Sequence, residues 1–180
     1  METGITLKHE DLRSAFDRSF EAAPVERDHE LVHLLVVRIG AARFALKVND
    51  LAGLARAEKV VPIPSKDPTL LGLAGLKGRI VAVYSLAALI GNAELVKVAE
   101  RWLVMCRSED RLALSFTAAE GTVMVPTSEL CPVAPGAPAF AVAALGTGAV
   151  QMWLLNVGAM VAAIVARTAA PASDAVERAG

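Results

Sequence analysis

The side chains that could perform chemistry are sparse in this 180-residue chain, and their spacing does not assemble them. The histidines, His9, His29 and His33, lie far in sequence from the cysteines, Cys106 and Cys131; no CxxC pair occurs, and the one HxxxH spacing is His29 to His33. That spacing brings two ligands within reach of one ion only in a helix, and the run from Leu31 reads as a strand, so no metal site is expected. The hydrolase and nucleotide-loop signatures GxSxG and GxxxxGKS/T are absent, and the one match to HExxH, His29-Glu30-Leu31-Val32-His33, runs into the apolar strand read from Leu31, whereas zinc ligation by that motif needs both histidines on one helix face. Gly72, Gly75 and Gly78 stand three apart, but they lead into the apolar run IVAVYSL. A strand there leaves no helix N-terminus for a phosphate, so the glycines are expected to serve a turn between strands. His33 alternates with core positions and reads as a surface histidine. The carboxylates fall mostly in loops, with no pair placed for glycoside chemistry. No catalytic residue and no cofactor is expected, and the chain does not read as an enzyme.

The bulk properties exclude further classes. A formal net charge of −1 lacks the basic surplus of a phosphate-neutralising nucleic-acid binder or of a polybasic membrane anchor. Apolar residues make up 54% of the chain and aromatic residues 4%. That surplus of Val, Leu and Ala suggests apolar surface left exposed for a partner. Two cysteines are too few for a disulfide scaffold and read as reduced thiols of a cytoplasmic protein. Residues Met1 to Asp28 are charged and contain no apolar signal core. The run Ala149 to Ala166 is short for a membrane span and is interrupted by Gln151 and Asn156. It reads as a buried strand followed by a short helix, with no direct membrane insertion.

The elements that must position any site are short strands. Thr6 to Ala22 has partial helical spacing (Leu7, Leu12, Ala15, Phe16, Phe20) and predicts an N-terminal helical extension ended by Pro24. From Leu31 the run LVHLLVVRIG reads as a strand, turning at Gly40 into the alternating strand Ala41–Val48. Pro62, Pro64 and Pro68 mark an edge strand entering an irregular loop. Arg79 to Leu86 is a strand, and Ser85 caps a short helix stopped by Gly91. The second half repeats this manner, with strands at Trp102–Cys106, Leu112–Phe116 and Gly121–Pro126, then Ala139–Leu145 and Gln151–Leu155, then a helix from Val157 to Ala166. Short strands at near-regular spacing predict sandwiches or small barrels, and the similar element order of the halves predicts two related barrels rather than one large sheet. The expected organisation is an extension at 1–30, a barrel domain at 31–167 and a disordered tail at 168–180.

The string LLGLAGLKGRIVAVYSL carries a resemblance to the CheW-like domain family, whose signature reads approximately GxxNLRGxxxPVxDL. Gly72, Leu76, Gly78, Val83 and Leu86 fall on it. The order before it is similar too: an apolar strand, Gly40, Phe44, the apolar pair Leu46 and Val48, and a proline-bearing loop. The resemblance extends over roughly residues 31 to 166, and Arg101 to Ala163 look like the family's second barrel. It implies an all-β fold of two interlocked five-stranded SH3-like barrels around a shared core. It also implies a non-enzymatic adaptor that couples chemoreceptor (methyl-accepting protein) tips to the regulatory domain of a CheA-type histidine kinase. Carried over, the receptor groove turn is Gly75-Leu76-Lys77-Gly78. The kinase or barrel-edge contact falls on Leu46, Val48, Leu51 and Gly53.

Departures from the family pattern fall on polar positions. Gly75 replaces asparagine, Lys77 arginine, Ala82 proline, Ser85 aspartate, Gly53 glutamate and Thr117 an aspartate of the second barrel. Lysine keeps the charge but loses the five-donor fork. Two outcomes stay open: a diverged adaptor that engages one partner only, or one with both contacts intact. A second function class is also kept, a regulatory domain that binds a small ligand in the groove between the barrels.

Overall fold

The computed structural model of the chain describes residues 30–92, 102–146 and 151–169. The expected N-terminal helix and most of the expected tail lie outside these residues. Ten strands form two five-stranded sheets. The first half supplies β1 (Leu31–Ile39), β2 (Ala42–Lys47), β3 (Leu51–Arg56), β4 (Leu70–Leu76), β5 (Arg79–Ser85) and a short helix α1 (Leu86–Leu89). The second supplies β6 (Trp102–Cys106), β7 (Leu112–Phe116), β8 (Ala118–Pro126), β9 (Ala141–Leu145), β10 (Met152–Leu155) and α2 (Val157–Ala169).

The sheets do not divide the chain at its middle. One has the order β3-β6-β7-β5-β4 and the other β8-β1-β2-β10-β9. Each half therefore lends a hairpin to one sheet and three strands plus a helix to the other. This refines the reading of residues 101–163 as one barrel: β6 and β7 complete the sheet of β3, β4 and β5. Each sheet also closes on itself. The Val61 and Leu73 backbones exchange two hydrogen bonds of 2.8 Å, so the segment after β3 meets β4. Cys131 and Ala144 do the same at 2.9 and 2.8 Å, so the segment after β8 meets β9. We call the sheet containing β3 to β7 barrel 1 and the other barrel 2.

Three apolar clusters follow from this interlocking. Leu35, Val37, Phe44, Leu46, Leu114 and Phe116 face a shared core between the barrels, with α1 and α2 packed into it. Leu76, Val81, Val83 and Leu103 fill barrel 1, and Leu34, Ala45, Leu145 and Leu154 fill barrel 2. A strand between two cores is apolar on both faces, which is why LALSF on β7 is buried at all five positions. Its one polar side chain, Ser115, donates to the Tyr84 carbonyl at 3.1 Å.

Two sequence expectations change. The glycine string is mostly strand, not turn: Gly72 and Gly75 lie within β4, and only Lys77-Gly78 turns. Gly72 is required at barrel closure, because a Cβ there would stand 2.1 Å from the Val61 carbonyl oxygen. The final helix also runs on through Ala169, past the expected boundary at 167. Its last turn is held by Arg167, which donates to the Thr69 hydroxyl at 3.4 Å and pairs with Asp67 at 3.7 Å.

Candidate partner-binding surface

The site begins with a two-residue hairpin. Leu76 faces Arg79 across β4 and β5, and the turn residues Lys77 and Gly78 have φ of 48° and 76°. Two successive positive φ values define a type I′ turn, whose twist suits the flanking strands. The second position costs glycine nothing, whereas lysine at the first carries left-handed strain. The turn projects Lys77 outward while Leu76 points into the barrel 1 core.

Lys77 then lies back over β3. A Cβ built on Gly53 would stand 3.1 Å from Lys77 Nζ and 2.8 Å from Met105 Cε. Residues assigned to two different contacts are thereby brought together at one end of barrel 1. The missing Gly53 side chain leaves the space that the lysine occupies. Among the described residues Lys77 has no ion-pair partner, whereas its neighbour Arg79 is paired with Asp110. Ile80, which the sequence reading did not single out, is 72% exposed directly across from Gly75. Gly75 has no side chain to cover it, so Ile80 stands uncovered on the face of the β4–β5 hairpin opposite to the inward Leu76 and Val81.

The remaining members of the second set are less accessible. Leu46 and Leu51 are buried in the shared core, and Val48 is half-buried in a 3-10 turn, Val48–Asp50. Arg107 holds this corner, donating to the carbonyls of Asn49 at 2.8 Å and Leu51 at 3.0 Å. Leu46 and Leu51 set the path of the β2–β3 corner, while Val48 and Gly53 lie nearer its surface.

Three of the departures have local explanations. Ser85 keeps a capping role, its hydroxyl accepting from the Ala88 amide at 3.3 Å. Ala82 has an amide that proline would lack, and it donates to the Arg111 carbonyl at 2.8 Å. The Thr117 hydroxyl accepts from the Gly40 amide at 3.3 Å and so supports the β1–β2 turn.

Burial, assisted by the negative charges of Asp50 and Glu109, pushes the Cys106 thiol up to about 12, which leaves it inert at neutral pH. Both cysteines are free, and among the described residues no cluster of His, Cys, Asp or Glu could hold a metal ion. No helix of the described residues is long and apolar enough to cross a membrane.

Comparison with known proteins agrees with this architecture. Residues 33–164 match the model of the CheW-like domain. The scaffolding protein TtCheW from Thermoanaerobacter tengcongensis superposes with a TM-score of 0.59, over 69% of this chain and 88% of that one, at 15% sequence identity. At that identity the likeness speaks to the fold. No curated protein matches the chain in sequence. The matched family is one of chemotaxis scaffolds and not of enzymes. With its matched region spanning more than half of its length and both five-stranded sheets in place, the chain belongs to the CheW-like domain family.

Proposed function

We propose that this protein is an adaptor on the cytoplasmic side of a chemoreceptor array, joining receptor tips to the regulatory domain of a CheA-type histidine kinase. The receptor contact is formed by the turn Gly75-Leu76-Lys77-Gly78. Leu76 anchors the turn from inside the barrel, and Lys77 meets an acidic group of the partner. The kinase contact runs along the β2–β3 corner, where Leu46 and Leu51 shape the backbone and Val48 and Gly53 face outward. No nucleic acid, cofactor or membrane insertion enters this mechanism.

The observation that carries the reading is that one hairpin presents both Lys77, with no ion-pair partner among the described residues, and the exposed Ile80. A cation and an exposed aliphatic side chain on one hairpin suit a helical tip that presents acidic and apolar residues together. Buried apolar area supplies affinity there, and the charge sets orientation and rate. The test mixes the purified chain with receptor-tip and kinase regulatory fragments at micromolar concentration. Co-elution with each is expected, and absence of co-elution with either would end the adaptor reading.

A further inference from the structure

The pseudo-repeat allows the two barrels to be compared position by position. Gly53 on β3 pairs with Met105 on β6, and Gly121 on β8 pairs with Val36 on β1. Both glycines sit beside a register irregularity on the third strand of their half. Their surroundings differ. A Cβ at Gly53 would meet Met105 Cε and Lys77 Nζ, whereas a Cβ at Gly121 would meet nothing within 4 Å. The cavity bordered by Met105 and Lys77 has a volume of about 370 Å³. The one bordered by Val36 and Gly121 has about 1140 Å³. Among the described residues, barrel 1 closes its end with a long methionine and a lysine, whereas barrel 2 has the shorter Val36 there and no side chain over Gly121.

The open cavity carries its own chemistry. Glu120 lies between two arginines, with Arg43 Nε 2.7 Å from one carboxylate oxygen and Arg38 Nε 3.6 Å from the other. One carboxylate thus occupies the Nε edges of two guanidinium groups. Among the described residues no acceptor takes their terminal Nη donors. Leu145 and Met152 extend the wall toward the apolar interior of barrel 2. Glu129 also borders the cavity, so the four charged side chains among its described lining residues sum to zero. A balanced site gives no strong field for phosphate or a dicarboxylate, but the free guanidinium forks still match one carboxylate.

We propose that the end of barrel 2 binds a small monocarboxylate with an apolar body, its carboxylate held by Arg38 and Arg43 and its body on the apolar wall. The volume is comparable with that of small-ligand sites. The site is separate from the Lys77 surface, so it stands or falls independently of the adaptor reading.

The test titrates the full chain with hexanoate and benzoate, with hexanol, succinate and inorganic phosphate alongside, by calorimetry and by amide chemical shifts. Saturable one-to-one binding of hexanoate or benzoate is expected, with a Kd on the order of millimolar or tighter. Arg43→Gln should weaken it roughly tenfold, the loss of one charge-assisted contact. Val36→Met places in barrel 2 the residue that closes barrel 1 and should abolish binding in a folded protein. The proposal is overturned if neither acid saturates, if hexanol, succinate or phosphate binds as tightly, or if both variants bind like the parent chain.

Discussion

Lys77 lies over Gly53, its ammonium 3.1 Å from where a side chain on that glycine would begin. Residue 53 therefore controls how free the lysine is. A Gly53→Glu variant would place a carboxylate beside the ammonium, and the two flexible ends it displaces, Lys77 and Met105, can move aside. An exposed ion pair is worth ~0.2–1 kcal/mol, so receptor-tip affinity should fall by a factor of roughly 1.4 to 5. Titration calorimetry of the variant with the tip fragment checks this, and unchanged affinity would remove Lys77 from the contact.

The strain in the β4–β5 turn separates stability from binding. Lysine occupies a left-handed position that asparagine tolerates far better, and Asn-Gly is favoured in type I′ turns. Lys77→Asn should stabilise the fold by ~0.5–1 kcal/mol, raising Tm by about 1–4 °C. The same change removes the only cation at the tip of the turn. The expected result is a more stable protein that binds receptor fragments less well; thermal melts and co-elution of one preparation report both.

Gly72 and Gly75 share a strand, but their substitutions should behave differently. A Cβ at Gly72 would overlap the Val61 carbonyl, and its φ of 145° is disfavoured for any side chain. Gly72→Ala should break barrel closure at a cost of ~3 kcal/mol. Gly75 has open space around it, and Gly75→Ala should stay within about 0.5 kcal/mol of the parent. Urea denaturation of the pair decides it: equal losses would show that closure does not depend on the approach of β4 to Val61.

Some of this could be read from residue order and some could not. Ser85 as a helix cap and Gly40 at a hairpin were legible because local chemistry decides them. β3 was not legible: LAGLAR has no β-branched residue, and its pairing to β6 is a tertiary fact. Ile80 was hidden because strands between two cores are apolar throughout, so one exposed isoleucine has no signature. The Arg38–Glu120–Arg43 cluster arises only when β8 pairs with β1 from the far half of the chain. The similar order of the halves was visible, but the exchange of hairpins between them was not.

Acid should loosen the contact between α2 and the loop ahead of β4. Partial burial works against the charge on Asp67, but hydrogen bonds from the Thr69 hydroxyl and amide, together with Arg167, outweigh it and hold its carboxyl below 3.8. A carboxyl depressed in the folded state adds stability that is complete above the unfolded value and is lost as pH falls through the folded one. The loss should therefore appear below about pH 4. Asp67→Asn should lower Tm at pH 7 and flatten the acid limb of a Tm–pH profile. A parallel limb in the variant would mean that other carboxylates dominate it.

Arg107 ties two parts of the proposed kinase contact to one another. Its side chain reaches the carbonyls of Asn49 and Leu51, and its amide donates to the Asp50 carbonyl at 2.9 Å. Truncation removes the two side-chain bonds but leaves the backbone bond, so the fold should lose only ~1 kcal/mol. The corner from Val48 to Leu51 would nevertheless become less ordered, and binding through it would carry that ordering cost. Arg107→Ala should weaken kinase-fragment binding several-fold and leave receptor-tip binding near the parent value, because the β4–β5 turn stands on different strands. Equal weakening of both partners would argue that the two contacts are one surface, and no weakening of either would take the β2–β3 corner out of the kinase interface.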